Sequence, residues 1–244
     1  MSLLHHYIPA KRKSDNVLGL YDIIGNSFLT NLGGGTLTAG SNASDHDLPN
    51  AYQELTYIQT DSDSYFNTNY YPNNTTWIEA DLEHISHSIN GTIFGCKPPD
   101  ADYDEYVLQF YGSSSTNCQY TCVDKSVNGS VDLTTRNKIL GINEGSRICI
   151  YVNGSLNNSR NYVPTALTSS LPAYISACYR KVSASQNPDV VRKLSMKLYA
   201  MRIGEGAYVP EGNIHLYHNG NGVEHLVYNG NTVDHLYYNG NSVF

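Results

Sequence analysis

The sequence predicts an all-β chain, an antiparallel β-sandwich followed by a separate β-repeat tail, and three observations carry that prediction. Apolar residues come in short runs, at 77–82, 106–111, 138–142, 147–152, 173–178 and 194–203, and nothing reads as a long amphipathic helix. Each run is rich in β-branched and aromatic residues and is bounded by Gly, Asn, Pro or Ser. Asn-Gly pairs recur between extended segments, and both residues tolerate the positive φ that a type I′ hairpin turn demands.

Composition narrows the function classes. The 244 residues carry a formal net charge of −7 and only 15% charged side chains, against about 25% in typical globular chains. Neutral polar groups and tyrosine fill the gap, with 21 Tyr against 1 Trp and 5 Phe. At 40% hydrophobic the chain can build a substantial core. An acidic balance with scattered Lys and Arg excludes the concentrated positive patch that nucleic acid needs. No apolar run approaches the roughly 18 residues of a membrane span.

Taken in order, residues 1–44 read as an extended block ending in a Gly- and Ser-rich linker, GGGTLTAGSNAS. The opening residues lack an apolar core followed by a small-residue cleavage site, so no secretory signal is expected. Residues 45–209 hold the strand series. In RICIYVNGSLNNS, Ile148, Ile150 and Val152 share one strand face, and Asn153-Gly154 turns the chain. The five cysteines, Cys96, Cys118, Cys122, Cys149 and Cys178, are an odd set suited to a reducing cytoplasm. The Cys118/Cys122 spacing fits neither a zinc ribbon nor a redox helix, so buried small hydrophobes are the expected role.

Residues 210–244 form a ten-residue repeat in which His215, His225 and His235, then Leu216, Leu226 and Leu236, fall in register ahead of Asn-Gly turns. Apolar groups on both faces of so small a sheet require a partner surface, so these residues and Tyr238 are assigned to oligomerisation or docking. In-register histidines invite a metal reading; stacked polar side chains hydrogen-bonding on a sheet are the commoner case, and no metal is expected.

Several segments then carry a family resemblance. Leu55, Tyr57 and Ile58, Tyr65-Phe66-Asn67-Thr68, the Pro72-Asn73 turn, and the strands GTIFGCK, EYVLQFYG and KLSMKLYAMRI are similar to laminin-G-like (concanavalin-type) jelly-roll modules of bacteriophage virion proteins. Arg12-Lys13-Ser14-Asp15, Gly19-Leu20-Tyr21-Asp22 and Phe28 resemble the block that closes such a module, here moved to the N-terminus. That block either folds onto its own sandwich or completes a neighbour's. The resemblance implies a jelly-roll fold and a non-enzymatic virion protein assembled in the bacterial cytoplasm, a head-fibre or tail-fibre component meeting host or mucosal glycans. Other virion proteins and a homotrimer are the implied partners. The alternative is a purely structural capsid decoration or tail/baseplate joint that binds no glycan.

No catalytic constellation stands out. The segment PPDADYDEY alternates Asp100, Asp102 and Asp104 but lacks the acid Glu of a concanavalin-type glycosidase line. No cofactor is expected. The resemblance allows a Ca2+ at the sandwich rim, on Asp100, Asp102 and Asp104 or on Asp61 and Asp63, although solvated acidic loops are the commoner reading. Glycan stacking calls for aromatic faces beside Asn and Asp on a rigid scaffold, and Tyr70, Tyr71, Trp77, Tyr103 and Tyr111 fit that description.

Overall fold

The computed structural model describes residues 2–98, 105–112, 116–181, 183 and 187–208, and within the tail 227–228, 231–232, 237–238 and 241–242. Two compact units divide the chain, Met1–Tyr208 and Val209–Phe244. Among the described residues there is no helix.

The first unit is a β-sandwich. Its strands run β1 Ser2–Arg12, β2 Leu18–Asp22, β3 Ser27–Thr30, β4 Thr38–Ala39, β5 Tyr52–Glu54, β6 Ile58–Gln59, β7 Phe66–Asn67, β8 Thr76–His87, β9 Asn90–Lys97 and β10 Glu105–Tyr111. They continue as β11 Asn117–Val123, β12 Lys125–Ser130, β13 Arg136–Asn143, β14 Arg147–Val152, β15 Ser155–Asn161, β16 Tyr174–Ile175, β17 Cys178–Arg180, β18 Asp189–Val191 and β19 Leu194–Glu205. One sheet has the order β15-β14-β13-β8-β19-β1-β2-β3, and the facing sheet β12-β11-β10-β9-β16-β7.

Strand alternation builds the core. Ile78, Ala80 and Leu82 of β8 and Ile148 and Ile150 of β14 meet Tyr106, Leu108 and Phe110 of β10 and Cys118, Tyr120 and Cys122 of β11. The Tyr120 ring lies where a side chain on position 141 would stand: a Cβ at Gly141 would be 2.4 Å from it. The β14–β15 hairpin turns on Asn153 (φ 51°) and Gly154 (φ 79°), the left-handed pair that a type I′ turn requires. All five cysteines are buried and unbridged, and desolvation pushes the thiols of Cys96 and Cys122 up to about 12 and those of Cys118 and Cys149 up to about 11.

Of the two alternatives for the N-terminal block, the structure shows the first, a block folded onto its own sandwich: β1 pairs antiparallel with β19, through Tyr7↔Met201 and His6↔Arg202, and with β2 on its other side. The linker expectation is corrected. The Gly- and Ser-rich stretch is not a loose linker, because its backbone groups pair with residues 54–63. β4 pairs β6, Asn42 bridges Leu55, and Gly35 N–H donates to the Asp63 carbonyl.

The two sheets are stitched along both sides by asparagine amides. At one side Asn157 Oδ1 accepts from Ser130 N–H at 2.7 Å while its Nδ2 donates to the Ser130 carbonyl at 3.0 Å, joining β15 to β12. Asn158 adds a bond to the Asn128 carbonyl at 2.7 Å. At the other side Asn31, just after β3, accepts from Tyr65 N–H at 3.0 Å and donates to the Gly35 carbonyl at 2.9 Å. Asn31→Ala and Asn157→Ala are each expected to lower unfolding free energy by about 1 kcal/mol, and the double variant by about 2, because the sites share no partner. Urea midpoints of the four proteins measure this; an unchanged midpoint in either single variant would contradict it.

In the second unit, Val227–Tyr228 pairs with Asn231–Thr232 and Tyr237–Tyr238 with Asn241–Ser242, both antiparallel. His215, Leu216, His225, Leu226, His235 and Leu236 lie outside the described residues, and Tyr238 falls on one of these short strands.

Candidate functional site

The inward residues of β10 and β11 leave a second set pointing away from the core. By alternation Glu105, Val107, Gln109 and Tyr111 of β10 share the outer face with Asn117, Gln119 and Thr121 of β11 and Ser126, Asn128 and Ser130 of β12. Register brings three amides into one line across the strands, since Gln109 faces Gln119 and Gln119 faces Asn128. A bulge in the β9–β10 pairing sits between Leu108 and Gln109.

That line is a directed hydrogen-bond chain. The Arg192 guanidinium donates to Gln109 Oε1 at 3.3 Å, Gln109 Nε2 donates to Gln119 Oε1 at 2.6 Å, and Gln119 Nε2 donates to Asn128 Oδ1 at 2.8 Å. A guanidinium can only donate, so Arg192 fixes which end of each amide faces which neighbour. Arg192 also bonds Glu105, and its own backbone is left-handed at φ 52° with its carbonyl accepting from Thr92 N–H. The row runs from buried Gln109 through half-buried Gln119 to exposed Asn128. A second row, Tyr111, Asn117 and Ser130, lies beside it and is exposed on all three strands.

Next to this face a cleft of about 460 Å³ opens between the sheets, lined by Ser62, Asp63, Ser86, His87, Arg192 and Lys193. Lys193 Nζ pairs with Asp63 at 2.7 Å. His87 Nε2 lies 2.9 Å from the Gly112 carbonyl, which only accepts, so the proton sits on Nε2. His87 Nδ1 is then the acceptor for His84 Nε2–H at 2.7 Å. Burial, and then the neighbouring His87, hold His84 below the ordinary histidine value of 6.5.

The sign of the pH effect follows. The folded chain resists protonating His84 while the unfolded chain takes the proton below about 6.5. Stability contributed by this group is complete above that pH and falls as pH drops toward the folded value. Thermal melts at pH 7.5 and 5.5 are therefore expected to show a larger loss for the parent than for His84→Gln, and equal losses would contradict it.

The structure separates the five aromatic candidates. Trp77 is 0% exposed and Tyr70 8%, so neither ring is available to a ligand. Tyr70 is fixed instead by hydroxyl bonds to Thr76 at 2.6 Å and Glu205 at 2.9 Å. Tyr71 (49% exposed) and Tyr111 (45%) do present their rings, but Tyr71 precedes the start of β8 whereas Tyr111 lies across from Asn90, just beyond its end. They cannot share one ligand. Tyr103, with Asp100, Asp102 and Asp104, lies outside the described residues.

Asp61 and Asp63 do not form a calcium cage. The Asp61 carboxylate is occupied by Thr36 N–H at 2.7 Å, Asp63 N–H at 2.9 Å and the Ser64 hydroxyl at 2.8 Å, and Asp63 is paired with Lys193. Donors stand where a cation would have to approach.

Sequence reasoning missed Gln109, Gln119, Asn128 and Arg192. The available signal was the polar residue alternating with core residues in LQFY and CQYTC.

No family model and no curated protein sequence matches the chain. Among solved structures it is similar to the carbohydrate-binding module of Ruminococcus gnavus IT-sialidase, at 10% identity and TM-score 0.43 over 55% of this chain and 78% of that one. It is also similar to domain 4 of AbnA, an extracellular arabinanase from Geobacillus stearothermophilus in complex with arabinotriose, at 13% identity and TM-score 0.45 over 84% and 95%. The binding domain of botulinum neurotoxin DC in complex with SialylT matches at 12% identity and TM-score 0.45 over 83% and 48%.

Proposed function

We propose that this chain is a non-enzymatic carbohydrate-binding β-sandwich carried on a bacteriophage particle as a head-fibre or tail-fibre component. One observation supports the binding role above others: a hydrogen-bonded row of neutral amides on an outer sheet face, with exposed Tyr111 beside it. Sugars offer hydroxyls to such amides and an apolar ring face to an aromatic side chain. The particle setting rests on the resemblance of residues 5–40 and 50–207 to phage jelly-roll modules. Residues 210–244 would join three copies, and the particle's other proteins would be its neighbours.

The test is a glycan array probed with the full chain and with Tyr111→Ala. Binding that drops about tenfold in the variant, with an unchanged melting temperature, is the expected result. A blank array alongside tight binding to particle proteins would overturn this reading in favour of a structural joint.

A further inference from the structure

We propose that the outer sheet face beside the amide row takes an extended glycan chain laid across the strands, with successive sugars over exposed Tyr111 of β10, Asn117 of β11 and Ser130 of β12; this rests on the carbohydrate-binding reading above. Spacing is the first reason. Neighbouring strands are about 4.8 Å apart, and an extended β-1,4-linked pyranose chain advances about 5 Å per sugar, so exposed side chain and sugar stay in step over three strands. Helical or branched glycans do not keep that step.

Hydrogen-bonding capacity is the second reason. Within the row each glutamine Nε2 spends one N–H on its neighbour, so half-buried Gln119 keeps a second N–H and exposed Asn128 keeps its Nδ2 beyond the bonds of the row. Asn117 stands in the exposed row with no side-chain hydrogen bond among the described residues. The fixed donor-to-acceptor direction, set by Arg192, repeats the same amide orientation on each strand, as a repeating ligand requires.

Calorimetric titration of the full chain tests it, using cello-, manno- and chito-oligosaccharides of two to six sugars, maltohexaose and sialyllactose. At least one β-1,4 series is expected to gain about tenfold in affinity from dimer to tetramer and then level off, with maltohexaose and sialyllactose about tenfold weaker or more. Asn117→Ala, which removes an exposed amide with no side-chain hydrogen bond among the described residues, should cost about fivefold on the tetramer with an unchanged melt. Length-independent binding, equal binding of sialyllactose or maltohexaose, or full binding by Asn117→Ala would overturn the inference and leave the carbohydrate-binding reading standing. Array binding without affinity for any of the three β-1,4 series would do the same, and a blank array would remove both.

Discussion

Arg202→Met is expected to lower the unfolding free energy by about 3–5 kcal/mol. Arg202 NH1 and Glu79 Oε1 are 3.1 Å apart, with both side chains only 6% exposed. The Tyr208 hydroxyl donates to the other Glu79 oxygen, and the guanidinium sits over the Trp77 ring at 5.7 Å. Taking away the cation leaves a buried carboxylate bonded to the Tyr208 hydroxyl but without its counter-charge, and desolvation of that charge sets the size of the loss. Removing both charges in Arg202→Met/Glu79→Leu should cost less than the single change, because no unpaired ion remains. Urea unfolding followed by circular dichroism decides it; a double variant at least as unstable as Arg202→Met would show that packing, not charge, dominates.

Trp77→Ala should cost a similar amount, about 3–5 kcal/mol, and leave glycan affinity of the folded protein unchanged. Trp77 is fully buried although it alternates with the core residues Ile78 and Ala80, and so points outward from its sheet. Tyr208 covers it edge-on, with ring centroids 5.1 Å apart at 87°. Beneath the indole, position 204 has no room for a side chain: a Cβ there would lie 2.3 Å from Trp77 Cζ2 and 2.4 Å from the Ser2 carbonyl oxygen. A ligand platform would behave in the opposite way, losing affinity at constant stability. Because the sole tryptophan is removed, stability is read by circular dichroism and affinity by calorimetry. This variant and Arg202→Met touch one cluster, so their costs should not add.

What the sequence made legible was what local pattern controls. Short β-branched runs and the Asn153-Gly154 turn are decided within a few residues, and the strands and hairpin followed them. The partner of β1 was not legible, because its pairing with β19 spans nearly the whole chain and leaves no periodic trace. Trp77 looked like a surface aromatic for the same reason: its cover, residues 202–208, is far along the sequence. The amide row was hidden differently. Gln109, Gln119 and Asn128 each look like an ordinary polar position, and only the strand register aligns them. Tyr111 was visible because exposed aromatics at strand ends need no partner to be recognised.

The asparagine stitches have a consequence for life at high local concentration. A sandwich normally leaves unsatisfied backbone groups along its lateral strands, and these can template the addition of a foreign strand and so seed aggregation. Here those groups are in part already answered within the chain, by Asn157 and Asn158 at one flank and by Asn31 at the other. Closely crowded copies should therefore meet through side chains, not by sharing sheets. Asn31→Ala/Asn157→Ala would be the variant to precipitate first on concentration, as light scattering would reveal.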